Sequence, residues 1–191
     1  MIDHVKGLFV LGKEVNLSLA GIMGFPVTPY DQHEQLHEKA FQANVRFLLE
    51  NGLDSIFVCA GSGEYQSLDI HEYGQLVTIG VATSAGQVPV FAGAGGNIRE
   101  AVQRAELAEK LGADGLLLLP PYLIIPEQEG LFHYYRTLAQ STSLPVIIYQ
   151  RDNAIFNLNT LERLTALPNV IGFKDGAGNF ELNIEFVQSI G

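Results

Sequence analysis

The stretch Val170-Ile171-Gly172-Phe173-Lys174-Asp175-Gly176 is an apolar run that ends in a lysine and is followed at once by an acidic residue and a glycine. This pattern predicts a short buried strand that carries an amine at its end and then turns. Burial disfavours the charged ammonium, and a lysine whose pKa is lowered in this way can attack a carbonyl compound to form a Schiff base. A lysine whose flexible stem reaches out to solvent from a strand end fits the local sequence equally well.

Upstream of this stretch, apolar strands alternate with helical segments. The predicted strands are uniformly apolar rather than alternating, which is typical of strands buried on both faces of a parallel sheet. Six strand-then-helix units are predicted, with strands at residues 20–26, 55–58, 88–92, 113–119, 145–149 and 170–174. Residues 1–19 are interpreted as an amphipathic lead-in. No linker or low-complexity segment divides the chain, so residues 1–191 are predicted to form a single domain.

Two architectures fit this alternation, an open doubly wound sheet and a (β/α)8 barrel, and both place functional groups at the C-terminal ends of their strands. The first strand is not followed by a Gly-x-Gly-x-x-Gly loop, which weakens the dinucleotide-binding form of the open sheet. The polar groups instead follow several different strands: Ser62, Glu64, Tyr122, Tyr149, Arg151, Asn153 and Lys174. We therefore predict an α/β fold of the (β/α)8 TIM-barrel type, with about six of its strand-helix units in this chain.

The composition describes a folded globular protein, with 191 residues of which 47% are apolar. Eleven basic and 21 acidic residues give a formal net charge of -10 without a basic patch, which argues against nucleic-acid binding. The single cysteine, Cys59, excludes an intrachain disulfide and suits a reducing compartment. The apolar run at residues 7–12 is too short for a signal-peptide core, and no run approaches membrane-spanning length. A soluble cytoplasmic protein that binds no membrane is expected.

Two strand ends offer groups that could act on a carboxylate substrate. The loop Gly61-Ser62-Gly63-Glu64 has backbone N–H groups and a hydroxyl that could hold a carboxylate, although an ordinary strand-to-helix turn looks the same. Within it, Glu64 is expected to tie the loop down. Tyr149 is either a proton relay or a strand-end tyrosine whose hydroxyl is satisfied structurally. Arg151 is the best local cation for a substrate carboxylate, or else half of a surface ion pair.

Two features resemble metal-site or redox patterns but are interpreted otherwise. His33 and His37 have the i,i+4 spacing of a metal-binding pair, but no third ligand accompanies them, so we interpret both as solvated helix residues. Cys59 lies at a predicted strand end and is interpreted as a buried, unreactive thiol. The sequence therefore predicts no metal site.

Motifs spread from about residue 21 to residue 191 belong together in one known pattern. They are Gly24-Phe25-Pro26-Val27-Thr28-Pro29, Gly61-Ser62-Gly63-Glu64, Gly112-Ala113-Asp114-Gly115, Pro120-Pro121-Tyr122-Leu123, Glu129-Gly130-Leu131, Tyr149-Gln150-Arg151-Asp152-Asn153 and Gly172-Phe173-Lys174-Asp175-Gly176. With these motifs the chain resembles the dihydrodipicolinate synthase/N-acetylneuraminate lyase family of class I aldolase-type barrels. Within that family it looks closest to the branch that dehydrates 5-dehydro-4-deoxy-D-glucarate.

The resemblance implies that Lys174 is the Schiff-base lysine and that Tyr149 relays protons. It also implies that Gly61 and Ser62 hold the carboxylate next to the keto group. Many family members have two threonines at these two positions, whereas the dehydrating branch has glycine and then threonine, so serine keeps the hydroxyl. Leu123 stands where the synthases have a second tyrosine, and this departure argues against the synthase reaction.

Two further residues, Arg151 and Asn153, are predicted to bind substrate. The implied activity is that of a hydro-lyase that converts 5-dehydro-4-deoxy-D-glucarate into 2,5-dioxopentanoate, carbon dioxide and water. Because the lysine itself serves as the electron sink, no cofactor is expected. The alternatives are a lyase or synthase of the same family that acts on another 2-keto acid, and an inactive chain that serves only as a binding or assembly partner.

The family's barrels have eight strands, so the resemblance implies that the last two strand-helix units are absent from this chain. The first strand and the Lys174 strand would then have no closing partners, and much apolar surface would be exposed. Exposed edges and apolar surface favour self-association. Either the chain is a fragment of a longer polypeptide, or it associates to cover these edges, in which case a homo-oligomer is expected.

Overall fold

Eight strands form one sheet in the computed structural model, which describes residues 4–5, 8–10, 17, 20–151 and 153–190. The strands are β1 (His4–Val5), β2 (Leu8–Val10), β3 (Met23–Gly24), β4 (Ser55–Val58), β5 (Val90–Ala94), β6 (Gly115–Leu118), β7 (Val146–Gln150) and β8 (Val170–Asp175). From β3 to β8 the strands are parallel, and each lies beside its neighbour in the chain. This order gives a half-barrel of the predicted type, because a doubly wound sheet would reverse its strand order at a switch point.

Six helices connect or follow these parallel strands. They are α1 (Glu38–Glu50), α2 (Ile70–Ser84), α3 (Ile98–Lys110), α4 (Gln128–Gln140), α5 (Leu158–Thr165) and α6 (Phe180–Ile190). Side-chain oxygens cap two of the helices: Asp69 accepts from the N–H groups of the first turn of α2, and Asn97 accepts from the N–H of Glu100 in α3. His37 is not simply solvated, since its Nδ1 accepts from the N–H of Ala40 and caps α1. Within the described residues, no helix is long and apolar enough to cross a membrane.

The parallel strands separate two apolar layers. Alternate side chains pack outward against the helices, and the others form an inner cluster on the opposite face. One buried residue of this cluster comes from each strand from β4 to β8: Phe57, Phe91, Leu117, Ile147 and Ile171. Three aromatic rings stack in series, with centroids 4.8 Å apart from Phe25 to Phe57 and again from Phe57 to Phe91. The stack runs across neighbouring strands, since Phe57 pairs directly with Phe91 and Phe25 follows β3 beside them.

A β-bulge interrupts the pairing of β7 with β8. Val146 pairs with Val170, but the next residue of β7, Ile147, pairs with Gly172, so β8 contains one extra residue. Ile171 belongs to the inner cluster, whereas Phe173 packs in the outer layer against the helices. The bulge therefore shifts the alternation of β8 by one position and brings the residue after Phe173 back to the inner face.

The expectation that the Lys174 strand lacks an outer partner is wrong. Strand β2 pairs antiparallel with β8, with Leu8 opposite Lys174 and Val10 opposite Gly172, and β1 pairs with β2. The free N–H and C=O groups of an edge strand readily accept another strand in this way. At the other edge, β3 pairs only with β4 among the described strands. Most of the predicted lead-in at residues 1–19 lies outside the described residues.

Candidate active site

A cavity of about 330 Å³ opens at the C-terminal ends of the parallel strands. Its lining residues are Phe25, Gly61, Ser62, Leu117, Tyr149, Arg151 and Lys174. Five of the six site residues predicted from the sequence are in this set, and they follow or end three different strands, β4, β7 and β8. This is the end at which parallel α/β barrels form their sites.

Lys174 and Tyr149 are direct neighbours across the pair of strands β7 and β8. The Nζ atom of Lys174 lies 3.8 Å from the centroid of the Tyr149 ring and 5.9 Å from that of Phe25. Both the lysine and the tyrosine are half-buried, and Lys174 forms no ion pair with any described residue. The amine thus faces the cavity over an aromatic ring and is not neutralised by a carboxylate of the described chain.

Tyr149 is also held through its backbone. Its backbone carbonyl accepts a 2.8 Å hydrogen bond from the hydroxyl of Tyr135, a buried residue whose pKa is raised well above its usual value by desolvation. Gly176 leaves space for the ring, since a Cβ atom there would lie 2.5 Å from Cε2 and 2.8 Å from the hydroxyl oxygen of Tyr149. The Tyr149 hydroxyl itself makes no hydrogen bond with the described residues.

Replacing Gly176 with alanine is expected to destabilise the protein by about 1–3 kcal/mol, because the added methyl group overlaps the Tyr149 ring and the Gln150 carbonyl. Thermal unfolding of the variant would measure the loss. Gly130→Ala is the matched control: its nearest neighbour would be 3.6 Å away, and alanine is the better helix former in α4. An unchanged melting temperature for Gly176→Ala would contradict the close contact.

The loop after β4 lines the cavity with Gly61 and Ser62 and has unused hydrogen-bond donors. Within the described chain, the backbone N–H groups of residues 61–63 make no hydrogen bond. Left-handed residues flank this segment, with φ of 50° at Cys59 and 54° at Glu64. Gly93 permits the turn, because a side chain there would collide with the Cys59 carbonyl. A run of successive free backbone N–H groups of this kind can bind an anion such as a carboxylate.

Hydroxyl donors hold this loop in place. The hydroxyl of Thr28 donates to the Gly63 carbonyl at 2.7 Å, and the hydroxyl of Tyr65 donates to the Pro120 carbonyl at 3.2 Å. The prediction that Glu64 does this is wrong, since its side chain is exposed and makes no hydrogen bond with the described residues. An ionised carboxylate such as that of Glu64 can only accept hydrogen bonds. It therefore cannot replace the hydroxyl donors that bond these two carbonyls.

Arg151 extends over the same cavity from the end of β7. Its Cζ atom lies 5.9 Å from the Tyr149 ring centroid, and a Cβ atom on Gly61 would lie 3.9 Å from its Nη1. The side chain is exposed and forms no ion pair with any described residue. The guanidinium is therefore available to an anionic group that enters between Tyr149 and the loop.

Asn153 is the one predicted site residue that the structure does not bring to the cavity. Its side-chain nitrogen donates to the carbonyls of Pro121 and Ile124, at 2.8 Å in each case. The amide thereby fixes the loop after β6, which exposes the apolar side chains of Leu123 and Ile125. Because both bonds are made to backbone oxygens, this nitrogen is already engaged.

The sequence did not predict Phe25 and Leu117 as lining residues, although Phe25 lies near the end of the first predicted strand. It also gave no role to Gln150, whose side chain is fully buried. The Gln150 amide donates to Oδ1 of Asp175 at 2.9 Å and accepts from the N–H of Phe156 at 2.8 Å. This bridge joins the residue after Tyr149 to the residue after Lys174. It therefore fixes the positions of the two site side chains relative to each other along strands β7 and β8.

Asp175 is held as an anion at this bridge. Burial acts to raise the pKa of its carboxyl, but hydrogen bonds from Gln150, Asn183 and the N–H groups of Ala177 and Gly178 outweigh burial and lower the pKa. An ionised Asp175 accepts all four hydrogen bonds at neutral pH. The turn that follows Lys174 is consequently anchored.

A larger depression of about 530 Å³ lies at the opposite end of β7 and β8. Its lining residues are Ala139, Gln140, Thr142, Ser143, Pro145, Leu167, Pro168, Asn169 and Ile171, none of which has a titratable side chain. In the described part of the chain, no group of three or more histidine, cysteine, aspartate or glutamate side chains is arranged to hold a metal ion. The smaller cavity is therefore the better candidate for chemistry.

Comparison with known proteins identifies one family. The model of the dihydrodipicolinate synthetase family matches residues 18–191. A protein of Oceanobacillus iheyensis, described as a probable 5-dehydro-4-deoxyglucarate dehydratase, is 51% identical over 171 residues, or 90% of this chain. A protein of Bacillus subtilis with the same description is 50% identical over 172 residues, also 90% of this chain. This chain spans 56% of the length of each of these relatives.

A solved structure shares the fold. It is the crystal structure of the chloride-inhibited dihydrodipicolinate synthase of Acinetobacter baumannii complexed with pyruvate, which superposes with a TM-score of 0.84 at 29% identity. The similarity covers 91% of this chain and 61% of that synthase. Its extent supports the half-barrel architecture.

Proposed function

Because this chain belongs to the dihydrodipicolinate synthetase family, we propose that it carries the imine-forming site of a 5-dehydro-4-deoxyglucarate dehydratase. The reaction would convert 5-dehydro-4-deoxy-D-glucarate into 2,5-dioxopentanoate, carbon dioxide and water. The observation that carries the proposal is the placement of the Lys174 amine over the Tyr149 ring, in one cavity with Gly61 and Ser62, whose backbone N–H groups make no hydrogen bond within the described chain. The names of relatives about half identical to this chain support the choice of substrate.

In this proposal the neutral amine of Lys174 attacks the C5 ketone and expels its oxygen as water, which leaves a protonated imine. The imine withdraws electrons, so a proton can leave C4 and the hydroxide can then leave C3, which yields a conjugated iminium. The electron pair of the C1–C2 bond next moves into this system as carbon dioxide departs. Reprotonation and hydrolysis release the product and return the amine.

Tyr149 is proposed to move the protons of this sequence. Its ring lies against the amine, so the hydroxyl remains near the carbon atoms that change during imine formation. A positioned tyrosine can donate a proton to the departing ketone oxygen and take one back during hydrolysis. Either Tyr149 or the Lys174 amine could accept the C4 proton.

The two carboxylates of the substrate would bind at different places. The one next to the ketone is proposed to accept hydrogen bonds from the N–H groups of residues 61–63 and the hydroxyl of Ser62. The distal one is proposed to lie against Arg151, which leans over the cavity without an acidic partner among the described residues. Because Arg151 is exposed, solvent screens its attraction for the distal carboxylate. The pairing should therefore orient the substrate without preventing this carboxylate from leaving as carbon dioxide.

The proposal is tested by incubating the complete protein with 5-dehydro-4-deoxy-D-glucarate and following 2,5-dioxopentanoate and carbon dioxide together. Release of both products in equal amounts is expected. Formation of neither by a folded protein would refute the proposed reaction.

Arg151→Ala is expected to raise KM for the diacid by up to about fivefold, which corresponds to the contribution of an exposed charge pair. The half-saturating concentration of pyruvate, which has no distal carboxylate, should change little. Steady-state kinetics with the diacid and imine trapping with pyruvate provide the two numbers. Equal effects on both compounds would instead assign Arg151 to a structural role.

A second candidate function is that of a lyase or synthase acting on another 2-keto acid. It is favoured by the shared fold with a synthase that was crystallised with pyruvate. It is disfavoured by Leu123, an exposed leucine where the synthases are expected to have a tyrosine. A condensation assay with pyruvate and an aldehyde acceptor would distinguish the two reactions.

The assembly and location of the protein are also proposals. We propose a cytoplasmic homo-oligomer, supported by the exposed apolar residues Leu123, Ile124 and Ile125 and by the single buried cysteine. Light scattering of the complete protein measures its mass in solution. A monomer would contradict the proposed assembly.

A further inference from the structure

Helix α3 carries a buried cation. Arg104 is only 5% exposed and lies on the same helix face as the buried residues Ala101, Ala105 and Ala108. It forms no ion pair with any residue that the structure describes. Burying a charge is costly unless it is otherwise satisfied, so the groups around Arg104 must compensate for the lost water.

Two backbone carbonyls and two aromatic rings surround the guanidinium. Its Nη2 donates to the Leu68 carbonyl at 2.8 Å, and its Nη1 donates to the Gly95 carbonyl at 3.1 Å. The Cζ atom lies 5.9 Å from the ring centroid of Tyr65 and 5.8 Å from that of Tyr73. Charge-assisted hydrogen bonds and ring faces are both favourable partners for arginine.

The two carbonyls belong to different loops at the C-terminal ends of the strands. Leu68 ends the segment that begins with the free N–H groups of residues 61–63, and Gly95 directly follows β5. Between them, Tyr65 donates to Pro120 in the loop after β6. One planar guanidinium therefore links the loop after β4 to the loop after β5, a geometry that the single charged nitrogen of a lysine would not reproduce.

We propose that Arg104 is a positioning residue for the anion seat formed by residues 61–63. Its two hydrogen bonds hold the segment behind the seat, and its unneutralised charge adds positive potential there, which is screened less than it would be in water. The proposal rests on the proposed function, because it takes the seat to hold the carboxylate of a substrate whose ketone reacts with Lys174.

The test compares two small carbonyl compounds that differ in charge. Pyruvate has a carboxylate next to its ketone, whereas pyruvamide has a neutral amide there. Borohydride trapping on the complete protein, followed by peptide mass mapping, gives the half-saturating concentration of each compound for the adduct on Lys174. Circular dichroism confirms that each variant is folded.

Arg104→Lys keeps the positive charge but loses the planar guanidinium that bonds both carbonyls. It is expected to raise the half-saturating concentration of pyruvate by about tenfold. That of pyruvamide should change less than twofold. Arg104→Gln, which also loses the charge, should raise the pyruvate value further. Arg99→Lys, an exposed position on the same helix, is the matched control and should change neither value.

The outcomes separate the two proposals. If the unmodified protein forms no adduct on Lys174 with either compound, the proposed function fails. Suppose instead that the adduct forms, and that both Arg104 variants leave the half-saturating concentration of pyruvate unchanged or raise those of both compounds equally. Then Arg104 does not position the anion seat, and the proposed function stands. A selective loss of pyruvate that is larger for Arg104→Gln supports the inference.

Discussion

Replacing Lys174 with arginine is expected to abolish turnover of 5-dehydro-4-deoxy-D-glucarate. A guanidinium keeps the positive charge in the cavity but is not deprotonated in proteins, so it cannot become the nucleophile. Without an imine there is no electron sink for the loss of the C4 proton or of carbon dioxide. The fall in kcat should therefore approach the full enzymatic rate enhancement, which is typically about 10⁶-fold or more.

Borohydride treatment in the presence of the diacid measures the same step directly. The unmodified protein should gain the mass of the reduced adduct on the peptide that contains Lys174, and Lys174→Arg should gain none. Lys110→Arg, at the exposed end of α3, serves as the control and should retain both activity and adduct. An adduct on a different peptide would contradict the assignment.

Replacing Tyr149 with phenylalanine is expected to lower kcat by about 10²- to 10⁴-fold, the usual contribution of a general acid or base. The ring that lies 3.8 Å from the Lys174 amine is retained, so substrate should bind nearly as before. Steady-state kinetics should show a low kcat with little change in KM. Tyr122→Phe, on the exposed loop after β6, is the matched control. A near-normal kcat for Tyr149→Phe would leave the tyrosine with a structural role only.

Much of the fold follows from local sequence signals. Uniformly apolar runs predicted the six parallel strands, and Asp69 and Asn97 marked the starts of two helices because a side-chain oxygen at an N-cap satisfies free N–H groups. The pairing of β2 with β8 could not be predicted in this way. It joins segments more than 150 residues apart, and such a pairing leaves no periodic pattern in the sequence.

The candidate site was predictable where residues end strands, since parallel strands bring their C-terminal ends together. This rule placed Lys174, Tyr149 and Arg151 in one cavity. It failed for Asn153, which lies beyond its strand in a turn where backbone carbonyls compete for the amide. Arg104 was missed because it lies on a helix, although its place on the alanine stripe of α3 signals burial.

Because of the bulge in β8, the face of the sheet on which the Lys174 amine lies depends on the number of residues in that strand. Exchanging Ile171 or Phe173 for another apolar residue alters packing alone. Deleting or inserting one residue between Val170 and Lys174 would reverse the parity of the strand and turn the amine toward the helices, because a shift of one residue moves a side chain to the other face of a sheet. Descendants of this sequence can therefore vary in composition here, but an insertion or deletion would remove the amine from the cavity in a single step.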